Sequence, residues 1–167
     1  MKTRTYLLMI AACLLASIVL IHEADARTLS FKAKRCGTAA VDPADLNDDP
    51  GITVHSFVEN GSLTSATSTQ LPGRWEGIRY SCNGHVATLS LMTGTYTFAS
   101  GVCRFKDKEG SSIMANATSA GNKIEFQFRN GTGSWSGVTG TAKGSGSMPF
   151  AGTGQSCSIL NFRLNTP

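Results

Sequence analysis

The sequence predicts an all-β, antiparallel chain that closes on itself, and three observations carry that reading. Turn signals recur about every ten residues, the spacing of an all-β barrel or sandwich. They are Asn60-Gly61, Pro72-Gly73, Asn83-Gly84, Thr93-Gly94, Glu109-Gly110, Gly121-Asn122, Asn130-Gly131 and Gly140. The segments between them alternate apolar and polar residues with the two-residue period of a strand. Residues Gly131 to Gly146 punctuate the chain with glycine too often for a helix, while Trp135 and Val138 give the stretch something to bury. Glycines there fit turns, bulges and close strand contacts in a bent sheet. Gly133→Val or Gly137→Val should therefore impair folding; a variant melting like the wild type would contradict that. Trp135 reads as a packing anchor between these glycines.

The first 26 residues stand apart. Lys2 and Arg4 precede the apolar run Tyr6 to Ile21, and Ala24-Asp25-Ala26 offers a small-x-small cleavage site. That is the pattern of a secretory signal peptide, too short for the ~18–20 residues of a membrane span. Ile10-Ala11-Ala12-Cys13 also resembles a lipoprotein box, but the residues after Cys13 stay strongly apolar where a lipidated chain turns polar. Cleavage after Ala26 is expected, and with it a secreted or periplasmic protein without a membrane span. Residues 27–51 then form an N-terminal strand and a polar loop, and 52–167 form the rest of the same domain.

Charge argues against nucleic acid. The chain carries a net +4, but its basic residues are scattered rather than gathered on one face. Lys32-Ala33-Lys34-Arg35 is the one short basic run, expected to keep the first strand soluble. Asp42 to Gly51 follows as a loop. Asp45, Asn47 and Asp49 have calcium-loop spacing, yet Gly51 comes one position late and Ser56 replaces the bidentate Glu, so Asx and Pro turns are the better reading. Ile52 to Val58 and His85 to Met92 are apolar on both faces. Asn122 to Arg129 alternates most cleanly, with Ile124, Phe126 and Phe128 on one face. Ser158 to Leu164 ends the chain as a strand that Ile159 and Leu160 open.

Cys36, Cys82, Cys103 and Cys157 remain after cleavage, an even number suited to two disulfides in an exported chain. Three connectivities are open. Cys82–Cys103 with Cys36–Cys157 is preferred, because the second would tie the chain ends where a barrel closes. No two cysteines have zinc spacing.

Few residues suggest chemistry. His55 and His85 each stand alone, so neither implies a metal. Lys143-Gly144-Ser145 reverses the order of a phosphate loop, and no nucleophile elbow occurs. From Arg74 to Cys82, Glu76, Ile78 and Tyr80 share one face. Turned inward, Glu76 and Tyr80 would line an apolar cavity, where desolvation makes a glutamate a usable acid or base. The sequence favours the outward alternative, with Glu76 paired to a nearby Lys or Arg. Three Asn-x-Ser/Thr triplets, at Asn60, Asn116 and Asn130, are glycan acceptors only in a eukaryotic secretory pathway.

Three segments together carry a resemblance: Trp75-Glu76-Gly77, Gly101 to Gly110, and Gly131-Thr-Gly-Ser-Trp135-Ser-Gly137-Val-Thr-Gly140. They resemble an exported bacterial family related to the allene oxide cyclase and dirigent barrels, over roughly Ile52 to the C-terminus. The resemblance implies an antiparallel eight-stranded closed barrel, a β-sandwich being the alternative. It also implies an apolar interior. A small apolar molecule is the expected ligand, and no cofactor is expected. Relatives steer cyclisations or couplings of small hydrophobic molecules, and others have no assigned activity. The cyclase's catalytic glutamate has no motif match here; Glu76, Tyr80 and His85 are the candidates by environment. Three readings follow: a binding or accessory barrel, a cyclase- or isomerase-like enzyme, and a structural or partner-binding envelope protein.

Overall fold

The computed structural model describes residues 27–42, 52–67, 77–91, 94–146 and 154–167. The leader, the Asp45–Asp49 loop and Glu76 lie outside them. Eight strands follow in order: β1 Arg27–Asp42, β2 Ile52–Thr67, β3 Arg79–Leu91, β4 Gly94–Lys106, β5 Ser112–Ala120, β6 Lys123–Arg129, β7 Thr139–Ser145 and β8 Gly154–Thr166. Each pairs antiparallel with the next, and β8 pairs with β1, so the barrel is closed. A 3-10 turn, Gly133–Trp135, precedes β7. Among the described residues no helix is long and apolar enough to cross a membrane.

Register fixes the barrel's shape. From Ala39 the partners run Glu59, Cys82, Cys103, Ala115, Phe128, Gly140, Leu164 and back to β1 at Leu29. The path returns ten residues from its start, a stagger that tilts eight strands by about 40° to the axis. Every residue on that path points inward. A barrel of this size has room for packed side chains or one small ligand.

Alternation decides what points inward. On β6, Ile124, Phe126 and Phe128 are buried while Lys123, Gln127 and Arg129 are exposed. On β8, Leu160, Phe162 and Leu164 are buried, and Ile159 lies on the outer wall. Several glycines read as turns lie inside strands instead. Asn60-Gly61 sits within β2, Asn83-Gly84 within β3 and Gly140 within β7. The reason is room rather than reversal: a Cβ on Gly61 would fall 2.6 Å from the Tyr80 Cζ, and one on Gly84 would fall 2.6 Å from the Gly101 Cα. The Gly110 and Gly121 signals do mark hairpins, with φ of 94° and 58°.

The end of the barrel where β1 starts and β8 finishes is plugged. Trp135 is buried there with Val138, and its Nε1–H donates to the Asp107 Oδ2 at 2.9 Å. The other Asp107 oxygen accepts from the backbone N–H of Glu109 at 3.0 Å and Ser111 at 2.9 Å. Desolvation pushes the Asp107 pKa up, but the hydrogen bonds from Trp135, Ser111, Glu109 and Ser134 outweigh it and hold the carboxyl below its ordinary value. A depressed carboxylate stabilises the fold above its unfolded pKa, and that contribution is lost as pH falls through the folded one. The Trp135 indole N–H resonance should therefore hold its position from neutral pH into the ordinary carboxylate range near pH ~4 and shift only below it. In Asp107→Asn that acid transition should disappear; its persistence would mean another group anchors the indole.

Disulfides join Cys36 to Cys157 and Cys82 to Cys103. Each links directly opposed residues of neighbouring strands. Cys36–Cys157 lies on the outer wall at the β1–β8 seam, and Cys82–Cys103 is buried inside. Two such bonds are consistent with an oxidising compartment.

Candidate functional site: a polar floor inside the barrel

The basic run on β1 does not face solvent as a unit. Lys32 and Lys34 point out, but Arg35 follows the inward set Phe31, Ala33, Gly37 and Ala39 and is 1 % exposed. On β2 the inward set Phe57, Glu59 and Leu63 carries a carboxylate that is 0 % exposed. Arg35 Nη2 donates to Glu59 Oε2 in a buried ion pair. Tyr80 on β3 is also buried, and its hydroxyl donates to the other Glu59 oxygen, Oε1, at 2.6 Å. The guanidinium carbon stands 5.1 Å from the Tyr80 ring centroid and 5.7 Å from that of Phe126. Both are cation–π distances.

Glycines make this grouping possible. Gly37 and Gly61 face each other across β1 and β2. A Cβ on either would collide with the Tyr80 phenol. The ring thus lies flat across two strands to reach Glu59. Burial is the main cause that pushes the Tyr80 pKa well above the ordinary phenol value; the Arg35 charge opposes the rise and the Glu59 charge adds to it. Tyr80 therefore stays protonated and remains a donor.

The trio divides the interior. Towards the Trp135 plug the inward positions are bulky and apolar. Phe105 meets Tyr80, Phe126 and Phe128 at centroid distances of 5.5, 5.6 and 5.2 Å, and Phe31 stacks on Phe162 at 4.6 Å. Leu63, Phe126, Leu160 and Leu164 have no exposed surface. Towards the opposite end the inward residues shrink. Ala39, Gly84, Ala99 and Gly101 stand on β1, β3 and β4. Ala117, Ser119, Gly144, Ser156 and Ser158 continue on β5, β7 and β8. Phe57, Val86 and Ile124 are the larger side chains among them. The side chains that the strands turn into this half are thus mostly small.

Of the candidate residues read from the sequence, Tyr80 and His85 are not brought together, and Glu76 lies outside the described residues. Tyr80 lies in the trio. His85 is exposed on the outer wall and lines a concavity there of about 660 Å³ with Val58, Val102 and Asn116. Arg35 and Glu59 were not anticipated, although each sits at the inward phase of an otherwise apolar alternation.

Comparison by sequence finds no matching family model and no matching curated protein. Among solved structures, the chain is similar to the pterocarpan synthase dirigent protein GePTS1. The TM-score is 0.47 at 11% identity, over 84% of this chain and 90% of that one.

Proposed function

We propose that this is an exported barrel that holds one small molecule in the half opposite the Trp135 plug, as a binding or accessory protein. The observation that carries the reading is the change in inward side-chain size across the Arg35–Glu59–Tyr80 trio. Bulky rings fill one half, and glycine, alanine and serine line the other. A concave, mostly apolar wall with a few polar groups is the usual form of a small-molecule site.

The trio is better suited to a floor than to proton transfer. Both Glu59 oxygens are engaged, one by Arg35 and one by Tyr80. A general base needs an oxygen free to approach substrate. Tyr80 holds its proton too strongly to release it near neutral pH. The cyclase- or isomerase-like alternative would need a residue outside this trio.

Native mass spectrometry of the purified protein tests the reading. The expected spectrum shows one small molecule bound, endogenous or added as 1-naphthol, and lost in Ala39→Phe. A protein that folds but binds neither would overturn it.

A further inference from the structure

We infer that the occupant of this half of the barrel is a neutral, oxygen-bearing molecule whose hydroxyl or carbonyl is held by Ser119, Ser156 and Ser158; this rests on the binding reading above. All three face inward and are buried, with 6, 8 and 5 % of their surface exposed. None of their hydroxyl oxygens has a hydrogen-bond partner among the described residues. Buried polar groups are almost always satisfied, so three orphan hydroxyls in one half of the barrel point to a partner brought from outside.

The three serines stand on two walls of the barrel. Ser156 and Ser158 stand on β8 and Ser119 on β5, with β6 and β7 between. Just after β7, a Cβ at Gly146 would lie 2.6 Å from the Ser158 Cβ. Glycine at that place lets the backbone pass close to Ser158 without adding a polar partner for its hydroxyl. Ile124 on β6 and Ala39 and Ala99 across the space supply apolar wall. The occupant therefore needs an apolar body and polar oxygen. It does not need charge, because the one buried cation at the floor, Arg35, is already paired with Glu59.

Matched probes separate this inference from the reading beneath it. Binding of 1-naphthol and of 1-methylnaphthalene, near in shape, would be measured on the wild type and on the Ser119→Ala, Ser156→Ala, Ser158→Ala triple variant. One kept hydrogen bond predicts that the wild type prefers 1-naphthol by roughly threefold to tenfold. The triple variant should lose that preference and still bind 1-methylnaphthalene. Removing orphan hydroxyls should leave its melting temperature equal or higher, which checks the fold. Equal binding of both probes by the wild type, or a preference that survives in the triple variant, would overturn the inference while leaving the binding site standing. Binding of neither probe would overturn both.

Discussion

Glu59→Ala should lose about 3–5 kcal/mol of folding stability, the usual effect of deleting one member of a buried ion pair. Glu59 has no exposed surface and Arg35 is 1 % exposed, so the substitution strands a guanidinium in a core of Phe126 and Tyr80. It also removes the acceptor of the Tyr80 hydroxyl, and an unsatisfied buried donor adds to the loss. The change is not equivalent to losing the pair. Arg35→Met with Glu59→Leu replaces both charges by apolar volume, and such exchanges are often neutral. Urea denaturation should place the single variant far below the wild type and the double variant well above the single. A single variant that unfolds with the wild type would mean that Arg35 finds another anion or water.

Removing the Cys36–Cys157 bond by a double alanine substitution should destabilise by about 4–5 kcal/mol in the chain-entropy account, near the upper end for a disulfide. The bond joins residues 121 apart in sequence and Cys82–Cys103 joins residues 21 apart. A longer closed loop restricts the unfolded chain more, so removing the shorter link should cost about 3 kcal/mol. The seam adds a reason of its own. β1 and β8 meet last in sequence but must pair for the barrel to have no open edge. The ordering is the sharper expectation: a smaller loss at Cys36–Cys157 than at Cys82–Cys103, by denaturant midpoint, would contradict it.

Much of the barrel is legible in the sequence because strand alternation is a local property. Ile124, Phe126 and Phe128 announce their face without any partner in view. Glycine is harder to read, because one letter serves two needs. At Gly110 it supplies a positive φ, and at Gly61 it makes room for the Tyr80 ring. Only the neighbouring strand tells these apart. The polar floor was hidden for a related reason. Lys32-Ala33-Lys34-Arg35 looks like one charged run, yet strand phase puts Arg35 with Phe31 and Ala33 and away from the lysines. Glu59 stands in the same inward phase as Phe57 and Leu63. A charge of each sign on the inward faces of adjacent strands was the available signal, but their meeting depends on register, which no single segment contains.

The central claim is that a small molecule sits inside the barrel, above the Arg35–Glu59–Tyr80 floor. Titration of isotope-labelled protein with 1-naphthol, followed through backbone amide shifts, tests it most directly. The account predicts changes gathered at Ala39, Ala99, Ser119 and Ser156, with the Trp135 end unmoved. Changes gathered instead at the outer-wall concavity of Val58, Val102 and Asn116, or no change at saturating probe, would contradict it.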